Sequence, residues 1–195
     1  MTVSRQILKL PTDKFIYSYY GSLTTEKGVE DIIKACKLIS NNFPNNILVV
    51  LFVVWKGSNE HKKFKKLILK ADLPFLKLIE SYVDIPTLLN ASDVVIFPQH
   101  TGMGTTIPPI SILEALIAKK TIIATNIIGV KEWTKIASLK IIPPNNPKGL
   151  LNTILKTLSN KPFKSTYSIP KLDIETIGSK YYKLYLSLTS GFSNK

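Results

Sequence analysis

The chain has 195 residues, the size of one large domain, and 45% of them are hydrophobic, enough for a substantial core. Its 26 basic residues outnumber 13 acidic ones, giving a net charge of +13, and Arg5 is the single arginine. Lysine lacks the planar fork that reads bases bidentately, so this charge argues against sequence-specific nucleic-acid binding and for a general attraction to anions. Compositional drift toward Lys, Ile and Asn explains the same charge equally well. One cysteine, Cys36, rules out a disulfide framework. No secretory-signal pattern opens the chain, and no apolar run approaches the roughly 20 residues of a membrane-spanning helix. A soluble cytoplasmic protein is expected.

In chain order, residues 1–13 read as an N-terminal segment and "KFIYSYYG" (14–21) as a strand ending in glycine. A helix is expected over 26–42, with Val29, Ile32, Ile33, Cys36 and Ile39 on one face. The β-branched run "ILVVLFVVW" (47–55) suits a central strand buried on both faces and ending at Gly57. A lysine-rich surface helix (59–71) follows, on which His61 is expected to be a surface residue, then a short strand (75–80). Asp84 caps the helix in "IPTLLNAS", where an early proline is tolerated. The second half repeats the rhythm. Strand 93–98 leads into the polar loop "QHTGMGTT" (99–106), then helix 109–119, strand 121–125 and helix 130–137. An edge strand (139–143) and two closing helices (146–160 and 173–188), joined by a Pro- and Ser-containing connector, complete the domain at 14–188; 189–195 is a tail. Such alternation predicts an open parallel α/β sheet, whose ligands gather at the carboxyl ends of the strands near helix N-termini.

Two loops there carry usable chemistry. In "GSLTTEKG" (21–28), Gly21 permits a tight turn and Gly28 a close backbone approach, while Lys27 stands near a helix N-terminus. A cation beside exposed N–H groups can hold a diphosphate, although an ordinary turn with a solvated lysine has the same look. Glu114 lies about one turn inside helix 109–119, among Ile110, Ile112, Leu113, Leu116 and Ile117. A carboxylate in such company needs a partner, and a vicinal diol is a natural one; a dipole-favoured surface glutamate is the alternative. Glu132 begins another helix, where an acid is stabilising without any ligand. His100 is a candidate to line the site. Neither His100 nor His61 has metal-ligand spacing, so no metal site is expected.

Taken in order, "YYGSLTTEKGVEDIIKAC", "LIESYVDIPTLLNASDVVIFP", "PPISILEALIAKKTIIATNIIGVKEW" and the closing "YYKLYLSL" resemble the C-terminal, donor-nucleotide half of a retaining glycosyltransferase of the GT-B fold, in the large family-four group. The resemblance spans 14–188 and implies a Rossmann-like open parallel sheet with helices on both faces. It further implies that Glu114 binds the ribose hydroxyls of a nucleotide-diphosphate sugar and that Lys27 contacts the diphosphate. Gly21, Ser22, Ile110 and Ser111 would line the donor, and Lys27 and Thr106 occupy catalytic positions. No metal or other cofactor is needed. Three positions depart from the family: Ser22 replaces an arginine, Thr106 replaces the acid that addresses the transferred sugar, and Pro109 stands where glycine is common. Family members also carry an N-terminal acceptor-binding domain, so the resemblance implies a separate acceptor-binding domain or subunit. The expected function is transfer of a sugar with retention. The alternatives are a catalytically weakened interaction subunit of a glycosyltransferase complex and, as a secondary property, peripheral contact with an acidic membrane surface at the inner membrane face.

Overall fold

A computed structural model describes residues 1–42, 48–55, 59–102, 106, 107, 109–131, 133, 139–159 and 173–190. Apolar, β-branched segments form six parallel strands: β1 (Phe15–Ser22), β2 (Leu48–Trp55), β3 (Leu76–Ile79), β4 (Val94–Phe97), β5 (Thr121–Thr125) and β6 (Leu139–Ile142). Their spatial order is β3-β2-β1-β4-β5-β6, so the chain starts in the middle, builds outward to one edge, then crosses back and builds to the other. The helices between them are α2 (Val29–Asn42), α3 (His61–Lys70), α4 (Ile85–Ala91) and α5 (Ile110–Ile117). Helix α1 (Thr2–Ile7) precedes the sheet, and α6 (Pro147–Ser159) and α7 (Ile174–Ser190) follow it.

Residue parity within each strand divides the core into two layers. Tyr17, Tyr19, Val94 and Ile96 face α2, α3 and α6, meeting Ile32, Cys36, Ile39, Phe64, Ile68, Leu150 and Ile154. Ile16, Tyr20, Val95 and Phe97 face the other way, onto Leu88 and Leu89 of α4 and Ile112, Ala115 and Leu116 of α5. Helices therefore cover both faces, as the uninterrupted apolar strands require. Each fully buried aliphatic side chain contributes about 1.5–3 kcal/mol. Cys36 belongs to this core, and burial pushes its thiol up to about 12, which leaves it inert.

The expected elements fall within three residues of the observed ones, apart from the helix read over 130–137. Of that stretch Val130, Lys131 and Trp133 are described, and the Trp133 N–H donates to the Val130 carbonyl in a single turn. Two readings change. Residues 1–13 carry α1, whose Arg5 is buried against the sheet. His61 is not a surface residue: its side chain is only 12% exposed, with Nε2 held 2.8 Å from Glu80 Oε1. That glutamate also takes Lys65 of α3, so two α3 side chains converge on the end of β3. The 160–172 connector, Gly57 and residues 191–195 lie outside the described residues.

Candidate functional site

The sheet order reverses between β1 and β4, so two connections leave their carboxyl ends in opposite directions, the place where folds of this kind form their ligand crevice. Gly21 and Ser22 end β1, and the loop from there to α2 carries Lys27. The loop from β4 to α5 carries His100 and Thr106 and ends at Ile110, Ser111 and Glu114. Topology thus brings both sets of expected residues to one end of one crevice.

Specific contacts join the two loops. Gly28 has φ +68°, and a Cβ there would lie 1.8 Å from the Pro98 carbonyl oxygen, so the start of α2 sits directly on the end of β4. The His100 N–H donates to the Glu26 carbonyl at 2.8 Å, and His100 Nε2 lies 3.0 Å from Asp31 Oδ2 in the first turn of α2. His100 therefore stitches the loops together, a positioning arrangement at the site's edge. Thr24 Oγ1 accepts the Lys27 N–H, and Glu60 accepts both the N–H and the hydroxyl of Thr25, tying the β1 loop to the start of α3. Gly21 lies within β1, paired with Val54, rather than in a turn, and takes φ 142°, a conformation that a side chain would strain. Lys27 is half-buried, and burial holds its ammonium below the ordinary lysine value, with Glu26 partly offsetting the effect.

Glu114 is half-buried, and its partner comes from the sheet. Tyr20, near the end of β1, places its hydroxyl 3.1 Å from Glu114 Oε2 and 2.7 Å from the Ser111 carbonyl oxygen. Burial, then the Glu114 charge, pushes the Tyr20 phenol far above its ordinary range, so it stays protonated and donates. The phenol orients the carboxylate from below. Helix α5 starts at Pro109 without a side-chain cap, and the first N–H groups of a helix have no partner within it. Ile110 is exposed, Ser111 half-buried and Thr106 exposed. Gln99, directly after Pro98, is buried, and its Oε1 has no hydrogen-bond partner among the described residues. Tyr20 and Gln99 escape a reading of the sequence because both sit in segments that look like plain core. Glu132 lies outside the described residues, as do residues 103–105 and Pro108. Among the described residues no three His, Cys, Asp or Glu side chains gather as a metal site would require.

The family model for glycosyl transferases group 1 matches residues 1–169. The chain belongs to that family. Its fold is that of the C-terminal half of GT-B glycosyltransferases. The C-terminal domain of the group 1 glycosyltransferase LpcC from Francisella tularensis superposes with a TM-score of 0.65 at 20% identity, over 81% of this chain and 82% of that one. Sucrose-phosphate synthase from Thermosynechococcus elongatus gives 0.67 at 20% identity, over 82% of this chain and 40% of that one. Anabaena Alr3699/HepE, solved in complex with UDP-glucose, gives 0.66 at 21% identity, over 80% of this chain and 42% of that one. The group 1 chain therefore spans one domain of such proteins and less than half the length of the two longer ones. No curated protein sequence matches it.

Proposed function

We propose that this domain binds a nucleotide-diphosphate sugar in the β1/β4 crevice and serves its transfer, with retention, to an acceptor held by a separate domain or subunit. The observation that carries the reading is Glu114, a carboxylate at the switch point whose Oε2 is held by Tyr20 and which, as a carboxylate, can accept ribose hydroxyls. Across the crevice, Lys27 and the Ile110 and Ser111 N–H groups in the first turn of α5 would take the diphosphate. A cation and helix N–H groups together stabilise a departing diphosphate, so we assign that role to them and none to a metal. HepE was solved with UDP-glucose, which makes that donor the first to test. Ile107, Ile110 and Ile128 stand exposed beyond the same strand ends, an apolar rim that an acceptor-binding half would cover.

Calorimetry with UDP-glucose and its GDP counterpart tests the assignment. Glu114→Ala and Lys27→Ala should each weaken binding by about 10- to 100-fold, the loss of one charged hydrogen-bonding group. A chelator should leave binding unchanged. Affinity indifferent to both substitutions would sink the proposal.

A second reading, an interaction subunit with weakened turnover, is favoured by one observation. Lys27 is the only lysine or arginine in the 21–28 and 98–109 connections, and the acid expected at 106 is an exposed threonine. Donor binding without sugar release when an acceptor-binding partner is supplied would select this reading. We also place the protein in the cytoplasm, in peripheral contact with an acidic membrane. Support comes from Lys62, Lys66 and Lys70, spaced four apart along α3 beside an exposed Leu69. No helix among the described residues is long and apolar enough to cross a membrane.

A further inference from the structure

The opposite end of the sheet holds a second cleft, of about 360 Å³, among the α1–β1 turn, the start of β4 and the α5–β5 turn. Its floor is built around Arg5, whose guanidinium is 4% exposed. Nε donates to the Ala91 carbonyl at 3.0 Å, Nη1 to the carbonyls of Thr12 at 3.0 Å and Lys14 at 2.9 Å, and Nη2 to Asp93 Oδ2 at 2.7 Å. The same Asp93 oxygen accepts the Ile16 N–H at 2.7 Å, so this ion pair is closed on itself. What remains at the walls is an excess of positive charge: Lys14, Lys119 and Lys120 against Asp13. Lys120 is half-buried with Nζ donating to the Ser92 carbonyl at 3.1 Å. Burial depresses its ammonium pKa, Asp93 opposing this and Arg5 adding to it, so an anion close by would relieve an existing penalty.

We infer that this cleft is a second binding site, distinct from the donor crevice, for a phosphate monoester of sugar size. Several features narrow the class. Three lysines act as point charges suited to phosphate, while the one arginine is buried, with every guanidinium nitrogen already bonded within the fold, and is poorly placed to grip a carboxylate bidentately. Among the described residues lining the cleft the one aromatic, Phe15, is buried in the core and presents no face on which a nucleobase could stack. The volume lies at the small end of ligand sites, and the Thr12 hydroxyl and neighbouring backbone offer partners for sugar hydroxyls.

Calorimetry with glucose 6-phosphate, with glucose and inorganic phosphate as controls, tests this. Glucose 6-phosphate should bind more tightly than phosphate, and glucose should not bind. Lys119→Gln changes an exposed side chain and Lys14→Gln a half-buried one, and both keep the fold testable; each should weaken binding by about tenfold, and Lys120→Gln by more. Lys27→Ala should leave it unchanged. Loss of glucose 6-phosphate binding in Lys27→Ala would put the anion in the donor crevice and overturn the inference. Equal binding of glucose 6-phosphate by wild type and all three lysine variants would overturn it too, as would no binding at millimolar ligand.

Discussion

A methyl group on Gly28 has nowhere to go. It would meet the Pro98 carbonyl oxygen at 1.8 Å, in a backbone conformation, φ +68°, that already disfavours side chains. Gly28→Ala should therefore cost about 3 kcal/mol or more, read as a drop in the urea midpoint, and should weaken donor binding by displacing Lys27. Lys27 itself sets a pH dependence. Burial makes the folded domain bind the Lys27 proton less tightly than the unfolded chain, so stability without ligand rises with pH between the folded and unfolded pKa values. A diphosphate favours the charged form. Donor affinity should thus be full at neutral pH and fall as pH rises through the Lys27 pKa, starting below the ordinary lysine value. Calorimetry across alkaline pH, with Lys27→Met as the variant whose profile stays flat, checks this. At this scale the sequence was legible where a residue's type was odd for its place, as with Glu114 among isoleucines. Tyr20 was not, because a tyrosine in a buried strand looks like core, and its partner lies 94 residues away.

Elements were legible wherever periodicity was strong. The strands and α2 to α6 announced themselves through apolar runs and helical spacing, with the Asp84 cap confirmed by its bond to the Thr87 N–H. Helix α1 was missed because its six residues are too few to show a period, and it is held by Arg5 reaching across to the sheet rather than by an apolar stripe. His61 was misjudged for a related reason: five lysines in one helix conceal a side chain turned inward to Glu80. Helix α7 poses the opposite case. Ile174, Tyr181, Leu184 and Leu188 recur at helical spacing yet are all exposed. An apolar stripe this exposed among the described residues contributes little to the fold. Removing residues 174–195 should shift the stability of the rest by no more than about 0.5 kcal/mol, measured by urea denaturation, and should raise solubility.

For the molecule as a whole, strand–helix alternation was enough to read a doubly covered parallel sheet, since each strand between helices must be buried on both faces. The strand order, and with it the location of the crevice, came from tertiary pairing that no local pattern encodes. Net charge is likewise a property of the whole, +13, but its effect depends on where it is concentrated. On α3 it should act as a surface adhesive. Flotation with anionic phospholipid vesicles should retain the wild type at low salt and release it as salt rises, while neutral vesicles retain none. Replacing Lys62, Lys66 and Lys70 by glutamine together should weaken the attachment by roughly two orders of magnitude, at about 1 kcal/mol per lysine.

The bond from the His100 N–H to the Glu26 carbonyl bears on how fast such a protein can work. Because this main-chain bond runs directly between the two loops proposed to hold the donor and needs no bridging ligand, it would keep them in one arrangement. Encounter then requires no slow rearrangement on the domain's side, so the observed association rate should climb in proportion to donor concentration without levelling off.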